Sequence, residues 1–423
     1  MATIGGTSVR QLAQEYGTPL YVYDEDHLRM MLDTYRTAFR SDRFETGVLY
    51  ASKAFSCKAM IRLIQEYGFC LDVVSAGELI TAKQAGYDCT KVFFHGNNKT
   101  PEELALAKEC GVGTIVVDNL TEAERIRDLY SDGKTTVHAL LRVNPGIEAH
   151  THKYIVTAHV DSKFGISFLN EKELVDTARV LQDAANVSFD GIHAHIGSQI
   201  FDKQAFREEI AKLFAYAGHL KEAYGIEINT INLGGGFAVR YTDADAPIPI
   251  QEVCETILNA CAEENAKLGN QIRRVYIEPG RSIVAEAGYT IYTVGTLKKT
   301  PNRNYIFVDG GMADNIRPAL YQAEYDAFLD GKEDAPKGTE YTVAGKCCES
   351  GDILIQKIAL PKAEQGDLLV MKTTGAYGYS MASHYNKLLL PAVVFSGNGK
   401  TRTVIRRETY EHLISLEKQE VNS

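Results

Sequence analysis

Apolar segments of strand length recur along the first two thirds of the chain, with helical segments between them. The first five begin 22 to 24 residues apart, at Val48, Cys70, Val92, Thr114 and His138. Three more follow at wider spacing, at 189–197, 230–236 and 275–280. Continuous apolar runs are typical of parallel strands buried on both faces. Eight strands in alternation with helices predict a closed (β/α)8 TIM-type barrel, with an open doubly wound sheet as the alternative.

The intervening segments have helical patterns, and several end in glycine, as helices often do. They cover 25–40, 58–68, 77–86, 101–111, 121–130, 170–184, 203–224 and 250–268. Thr100-Pro101 predicts a helix start with proline in the first turn. Leu120-Thr121 predicts a second helix start, where Thr121 and Glu124 have the spacing of a capping box.

After Arg281 the pattern changes to short alternating segments separated by turn residues. These segments are 289–297, 305–308, 341–344, 353–358, 367–372, 392–395 and 402–405. Such alternation predicts a mostly-β sandwich or small barrel. The strand-like Leu20–Tyr23 precedes the first barrel unit, so it is expected to join the β domain. The predicted domains are an N-terminal segment at 1–30, a barrel at 31–282 and a β domain at 283–423.

Reactive polar residues occur where the predicted barrel strands end. They are Lys53, Asp72, His95, Arg142, His195, the glycines 234–236 and Glu278. In a TIM-type barrel the carboxyl ends of all strands meet at one face, which is where active sites lie. The pattern therefore predicts that these side chains converge.

Composition removes several classes of function. The 423 residues carry a net charge of −10 with both signs well mixed, so no basic stripe indicates nucleic-acid binding. No apolar run approaches the roughly 20 residues of a membrane span, and the N-terminal residues lack the apolar core of a signal peptide. Eight cysteines without CxxC spacing indicate reduced thiols in a cytoplasmic protein and no metal site.

Lys53 ends the apolar run 48–56. An ammonium is costly to desolvate, so a lysine there is exposed, paired or deprotonated. Taken by itself it is most simply a surface lysine whose stem packs on apolar neighbours. The convergence of polar strand ends favours instead a nucleophilic amine that forms a Schiff base.

Two motifs, one after the seventh predicted strand and one at the sixth, contain residues that could bind an anion such as a phosphate. The glycines 234–236 are either a tight turn or a loop whose amides approach a phosphate. Their position after the seventh strand favours the phosphate, because barrel phosphate sites often lie there. His193 and His195 are core histidines, half of a metal site, or a ring-stacking histidine at 195 with Ser198 donating to the phosphate.

Glu278-Pro279-Gly280-Arg281 is either a structural ion pair or a carboxylate that keeps a bound ring nitrogen protonated. In the β domain, Cys348 and Glu349 pair a thiol with an acid in a polar loop. The thiol is either structural or a proton donor, since an ordinary cysteine is mostly protonated at neutral pH.

With these residues the chain resembles the fold-type III pyridoxal-phosphate decarboxylases over nearly its whole length. The motifs that carry the resemblance include ASKA at 51–54, DVVSAGEL at 72–79, HAHIGSQ at 193–199, GGGF at 234–237, EPGRSIVAEAG at 278–288, DGGMADNIRPALY at 309–321, CESGD at 348–352 and GAYG at 375–378. One departure is Thr157-Ala158, where the family usually has threonine-glycine.

The resemblance implies a role for each matching residue. Lys53 would carry pyridoxal 5'-phosphate, and Cys348 would return a proton to the reacting carbon. The remaining cofactor-binding residues would be Asp72, Arg142, His195, Ser198, Gly235, Gly236, Glu278, Gly280, Arg281 and Tyr377. The working unit would be a homodimer in which the Cys348 segment reaches the partner's active site.

The implied reaction is decarboxylation of meso-diaminopimelate to lysine. The distal amino-carboxylate of that small-molecule substrate needs cations and an anion, and the residues expected to bind it are Arg281, Arg317, Tyr321, Glu349 and Tyr377. A relative acting on ornithine, lysine, arginine or carboxynorspermidine has no distal carboxylate for the two arginines. Racemases of the same barrel favour an arginine at the ring nitrogen, so Glu278 argues against them. A regulatory pseudoenzyme would lack Lys53 or Cys348.

Overall fold

The protein is described by a computed structural model over residues 2–147 and 162–418. The Thr157-Ala158 departure lies outside these residues. The chain forms two compact units. The barrel unit contains Met31–Val239 and Ala246–Ser282, and the β unit contains Met1–Met30, Arg240–Asp245 and Ile283–Ser423.

The helices of the described residues are α1 Val9–Tyr16, α2 Glu25–Ala38, α3 Lys58–Glu66, α4 Ala76–Ala85, α5 Pro101–Cys110, α6 Leu120–Leu129, α7 Glu171–Asp183, α8 Lys203–Tyr224, α9 Ile250–Lys267, α10 Arg281–Val284, α11 Arg317–Tyr321 and α12 Tyr410–Ile414. The strands are β1 Thr3–Ile4, β2 Thr7–Ser8, β3 Leu20–Asp24, β4 Glu45–Ala51, β5 Cys70–Val73, β6 Val92–Phe94, β7 Thr114–Val117, β8 Val137–Asn144, β9 Ile166–Ser167, β10 Val187–His193, β11 Thr230–Asn232, β12 Arg274–Ile277, β13 Gly288–Lys299, β14 Asn304–Val308, β15 Ala327–Leu329, β16 Thr339–Ala344, β17 Ile353–Leu360, β18 Leu368–Met371, β19 Ala392–Gly397 and β20 Lys400–Ile405.

The barrel closes through parallel pairs. Strands β4 to β8 pair in sequence order, β12 pairs with β4, and β10 pairs with both β8 and β11. Each predicted barrel strand is present, and the predicted (β/α)8 TIM-type barrel is confirmed. Inside it, apolar side chains from four strands pack together as one cluster: Leu49, Phe93, Val116 and Leu140. Filling the interior with side chains makes the barrel a packed core rather than a channel.

Both predicted helix starts are confirmed, but one predicted cap is wrong. At α5 the Thr100 side chain and Glu103 form a capping box, and Pro101 occupies the first turn as predicted. At α6 the helix begins at Leu120, within the predicted start at Leu120-Thr121, but the cap is Asn119, whose side chain accepts from the backbone N–H of Glu122. The predicted Thr121–Glu124 capping box is absent because asparagine is a stronger N-cap than threonine.

The β unit is built on one sheet in the order β17-β16-β14-β13-β3-β19-β20, with β18 also paired to β13 and β15 paired to β18. Strand β3 pairs antiparallel with β13 and parallel with β19. Apolar residues of these strands, among them Leu20, Val22, Ile291 and Val394, share one buried cluster. The predicted mostly-β C-terminal region is confirmed. Among the described residues, no helix combines the length and the apolar character that crossing a membrane requires.

Candidate active site

Lys53 lies at the carboxyl end of β4, in a short 3-10 turn at Ser52–Ala54. The β4–β5 register pairs Ala51 with Asp72, which brings the neighbouring strand end beside this turn. The Lys53 ammonium donates to Asp72 Oδ2 at 2.7 Å, and the lysine side chain is 38% exposed while that of the aspartate is 0% exposed. Lys53 is therefore paired and partly exposed, with its amine reachable from solvent and held by a buried carboxylate.

Glu278 follows β12 and is buried among polar partners. Its Oε1 accepts from Asn232 Nδ2 at 2.9 Å and lies 2.8 Å from His95 Nε2. Its Oε2 lies 3.2 Å from His193 Nε2. Burial raises the pKa of this carboxyl, but the two histidines outweigh that effect and hold its pKa well below the usual value. Glu278 is therefore a carboxylate at neutral pH.

The histidines beside Glu278 share its enclosure. The rings of His95 and His193 meet edge to face, with centroids 4.8 Å apart. Burial lowers the pKa of His193 to about 4, so this ring is neutral at pH 7. These three side chains also have the composition of a metal site. However, two ligand atoms bound to one zinc ion at tetrahedral angles lie roughly 3.3 Å apart. His95 Nε2 and Glu278 Oε1 are 2.8 Å apart, so these two atoms contact each other directly and their spacing does not suit a zinc ion.

Two side chains, those of Asp72 and His95, lie between the lysine and this carboxylate. Asp72 Oδ2 contacts Lys53, and Asp72 Oδ1 lies 3.8 Å from His95 Nε2. The same imidazole nitrogen contacts Glu278. The structure thus brings residues 53, 72 and 278 together at one rim of the barrel, as the alternation of strands and helices predicts.

The loops after β10, β11 and β12 lie side by side next to this cluster. The Arg281 guanidinium donates from Nε and Nη2 to Ser198 Oγ at 3.2 and 3.0 Å. The backbone N–H of Gly235 donates to His195 Nδ1 at 3.2 Å. Burial, with Lys53 and Arg142 nearby, lowers the pKa of His195 well below its usual value, so the ring is neutral.

Several positions in these loops require glycine, because atoms of neighbouring segments occupy the space that a Cβ would need. A Cβ at Gly235 would be 2.3 Å from the carbonyl oxygen of Glu278. At Gly236, where φ is +106°, a Cβ would be 2.6 Å from the carbonyl oxygen of Gly197. A Cβ at Gly280 would be 2.9 Å from that of Ala51. The loops therefore pack backbone to backbone, which a larger residue at these positions would prevent.

In the β unit, Arg317 is buried among tyrosines. Its Nε donates to Tyr325 Oη at 2.9 Å, and its Cζ lies 5.5 and 5.7 Å from the ring centroids of Tyr321 and Tyr377. Burial opposes the charge of this guanidinium, but Tyr325 and Tyr241 raise its pKa above the ordinary value. Arg317 is a fixed cation, and three of the five predicted substrate residues, Arg317, Tyr321 and Tyr377, lie together.

The two cysteines after β16 differ sharply. Cys347 is buried, its backbone N–H donates to Asp352 Oδ2 at 2.7 Å, and burial raises the pKa of its thiol to about 11. Cys348 is exposed, and its backbone N–H donates to Asn386 Oδ1 at 2.6 Å. Glu349 is exposed beside it. Of the two adjacent cysteines, Cys348 is exposed to solvent and Cys347 is buried.

Known proteins match this chain along nearly all its length. A family model described as pyridoxal-dependent decarboxylase, pyridoxal binding domain, matches residues 25–285. The diaminopimelate decarboxylase of Bacillus subtilis is 47% identical over 415 residues, which covers 98% of this chain and 94% of that protein. The chain belongs to the diaminopimelate decarboxylase family. It is therefore a pyridoxal-phosphate-dependent decarboxylase, as its motifs predict.

Other members of the diaminopimelate decarboxylase family agree. The Staphylococcus aureus protein is 44% identical over 416 residues, covering 97% of this chain and 96% of that protein. The Helicobacter pylori diaminopimelate decarboxylase, crystallised with L-lysine, is 31% identical with a TM-score of 0.88. The two structures align over 97% of this chain and over 99% of the Helicobacter pylori chain. The fold is therefore shared over both units.

The barrel rim suits the cofactor of this family. Pyridoxal phosphate presents an aldehyde, a ring nitrogen and a phosphate. The rim offers a reachable primary amine at Lys53, a low-pKa carboxylate at Glu278 and a group of arginine, serine and glycine donors. Two buried atoms at the same rim, Asp72 Oδ1 and His193 Nδ1, have no hydrogen-bond partner among the described residues. The donor set matches all three parts of the cofactor.

The predicted site omitted three residues that hold Glu278. The sequence places His95 and His193 at or near strand ends without indicating that either holds Glu278, and it gives Asn232 no role. Asn232 ends β11 and its Oδ1 accepts from the N–H of Gly234, so it joins the glycine loop to the carboxylate. The available signal was its position at a strand end, since β11 lies between β10 and β12.

Proposed function

We propose that this protein decarboxylates meso-diaminopimelate to L-lysine and CO2 with pyridoxal phosphate, as the last step of lysine synthesis. The observation that carries the proposal is the contact chain from the Lys53 amine through Asp72 and His95 to the Glu278 carboxylate. An amine for the cofactor's aldehyde and an acid for its ring nitrogen are both present at one rim. The relatives named for this reaction support the substrate.

When bound, the cofactor supplies an electron sink for the pair released as CO2 departs. We assign Lys53 as its covalent attachment point, with Asp72 fixing the direction of the amine through the 2.7 Å contact. His195 is neutral, so it would stack on the cofactor ring without adding charge. Arg142 would add a positive charge on the same side of the site as Asp72. These residues would hold the cofactor in one orientation.

Glu278 holds the proton on the ring nitrogen. Its pKa is well below the usual value, so it stays ionised and accepts a charge-assisted hydrogen bond from that nitrogen. His95, His193 and Asn232 hold the carboxylate in one orientation. A neutral His193 also adds no positive charge that would drive the proton off the ring nitrogen.

The phosphate is assigned to Ser198, Gly235, Gly236, Gly280, Arg281 and Tyr377. Arg281 and Ser198 already contact one another, so a charged donor and a hydroxyl point into the same volume. Glycine amides with no side chain approach an anion closely. These residues would hold the cofactor through its phosphate, independently of the Lys53 amine.

The distal amino-carboxylate of the substrate is assigned to Arg281, Arg317, Tyr321, Glu349 and Tyr377. Arg317 supports this because it is a permanent cation in a partly apolar tyrosine surrounding, where a carboxylate is bound more strongly than in open water. The acidic Glu349 suits the distal ammonium. Both charges of the distal group thus have a partner of opposite sign.

The substrate is tested by incubating the purified holoenzyme with meso-diaminopimelate and measuring lysine and CO2. We expect equal amounts of both products. In parallel reactions, ornithine, lysine, arginine and carboxynorspermidine are expected to turn over far more slowly. Turnover of any of these in place of meso-diaminopimelate would reject the substrate assignment, and racemisation without CO2 would reject the reaction.

Cys348 is the proposed proton donor to the reacting carbon. We expect Cys348→Ala to lower kcat about tenfold to a hundredfold, toward the low end of general-acid effects because water also reaches this exposed position. Cys347→Ala is the matched control, and it is expected to retain kcat while losing some thermal stability, since Cys347 is buried. Equal kcat losses in both variants would contradict the assignment.

We propose that the enzyme is a homodimer in which each active site takes Cys348 and Glu349 from the partner subunit. In this proposal residues 31–282 bind the cofactor, residues 283–423 supply the shared loops, and residues 1–30 add a strand to the β domain. The exposure of both residues supports it, because a side chain that acts in another subunit must be on the surface of its own.

Mixing two variants of low activity tests the shared site. Lys53→Ala and Cys348→Ala subunits, unfolded and refolded together in equal amounts, form half of their dimers as hybrids, each with one intact site. We therefore expect about a quarter of wild-type activity in a two-fold symmetric dimer. Activity no higher than the average of the two parent variants would show that each chain completes its own site.

We propose a cytoplasmic location. All eight cysteines are free thiols in the structure, the state that a reducing compartment maintains. Amino-acid synthesis with a cofactor made inside the cell fits that compartment. Fractionation of cells with an antibody to the protein tests it, and recovery in a secreted or membrane fraction would reject it.

A further inference from the structure

Arg142 is a cation near the end of β8, and three acids affect its guanidinium electrostatically. Burial lowers the pKa of its guanidinium, whereas Asp118, Glu278 and Asp72 act in the opposite direction. A long arginine side chain samples many rotamers unless it is packed, so something must hold it at this rim.

The segment after β8 packs directly on this arginine. The Arg142 Cζ lies 4.5 Å from the centroid of the Phe164 ring, a cation–π distance. At Gly165, where φ is +69°, a Cβ would be 2.8 Å from the carbonyl oxygen of Arg142 and 3.0 Å from its Cγ. The exposed Lys163 lies 5.0 Å from the same ring. Residues 164 and 165 thus cover Arg142 from guanidinium to backbone.

This covering segment is itself anchored. Strand β9 pairs with Val143 and Asn144 of β8, beyond the point where β7 stops. Asp118 follows β7 and is buried, and its Oδ1 accepts from the N–H of Gly165 at 3.0 Å. Asp118 therefore joins the end of β7 to the segment that covers Arg142.

We propose that Phe164 and Asp118 are positioning residues that hold the Arg142 guanidinium at the cofactor rim. The ring of Phe164 limits the rotamers of the arginine, and Asp118 limits the movement of the ring by fixing the backbone at Gly165. Neither side chain is assigned to the cofactor or the substrate. The inference rests on the proposed function, because it assumes that Arg142 serves the pyridoxal-phosphate site.

The test is a double-mutant cycle read out by cofactor affinity, measured by equilibrium dialysis without substrate. A cation–π contact of about 0.5 to 1 kcal/mol predicts that Phe164→Leu weakens pyridoxal-phosphate binding roughly two- to fivefold. Phe164→Tyr keeps the ring and should bind like the wild type. In an Arg142→Ala background, Phe164→Leu should add no further loss, since both changes then act on the same missing guanidinium.

Asp118 is tested by a matched pair. Asp118→Asn keeps an oxygen acceptor for the Gly165 amide and should retain most of the affinity, while Asp118→Ala should lose about as much as Phe164→Leu. The melting temperature of each cofactor-free variant reports folding separately. Additive losses in the Arg142→Ala background, or equal losses for the leucine and tyrosine variants, would overturn the proposal. Failure of the wild type to release lysine would instead count against the proposed function, since affinity is measured without turnover.

Discussion

Lys53→Ala is expected to reduce kcat at least about a thousandfold, because it removes the amine proposed as the covalent attachment point of the cofactor. The 2.7 Å contact with buried Asp72 makes a second effect measurable. Removing the cation leaves that carboxylate without its salt bridge, so cofactor binding and thermal stability should also fall. Steady-state kinetics with excess cofactor measure the first effect.

Lys58→Ala is the control for this variant. Lys58 is exposed at the start of α3, five residues along the chain, and has no part in the site. It should match the wild type in kcat and in cofactor binding. If Lys53→Ala turns over meso-diaminopimelate at a rate within tenfold of Lys58→Ala, then Lys53 does not carry the cofactor.

Glu278→Gln is expected to lower kcat about a hundredfold to a thousandfold, the size of effect seen when one preorganised electrostatic partner is removed from an active site. Glutamine keeps the shape of the side chain but is neutral, so it does not hold a proton on the ring nitrogen. Cofactor affinity should fall much less, because the lysine and the phosphate donors remain. Parallel measurement of kcat and of cofactor dissociation separates the two effects.

Glu278→Arg should follow the same pattern more strongly, since a cation beside the ring nitrogen weakens the electron sink. Glu255→Gln, at an exposed position of α9, is the matched control and should be silent. Loss of cofactor binding in proportion to kcat would mean that Glu278 is a structural partner of His95 and His193 rather than a partner of the ring.

Much of the fold was predictable because the apolar periodicity repeats. Strands of three to eight residues with helices between them leave few alternatives to a parallel barrel. The same periodicity is weak for a short strand outside this repeat. Strand β15, Ala327–Leu329, is as short as β6 and β11 but has no strand–helix repeat around it to mark it. The cap of α6 is predicted wrongly because threonine and glutamate at capping-box spacing compete with an asparagine two positions earlier.

The site was predictable where chemistry coincides with a strand end. Lys53 and Glu278 satisfy that rule, and strand register then brings them to one rim. The histidines and Asn232 around Glu278 were harder, since their role depends on three different strands and on which atoms face the carboxylate. Two of the tyrosines around Arg317, Tyr241 and Tyr325, could not be foreseen either. Tyr241 and Tyr325 are 84 residues apart in the chain, and only the folded β unit brings them together.

The most direct measurement of the central claim is the attachment point of the cofactor. The holoenzyme is reduced with borohydride, which fixes pyridoxal phosphate to the amine that carries it, then digested, and the modified peptide is sequenced by mass spectrometry. The predicted result is a single modified residue, Lys53, within the peptide that spans the end of β4. Modification of another lysine, with Lys53 intact, would contradict the account.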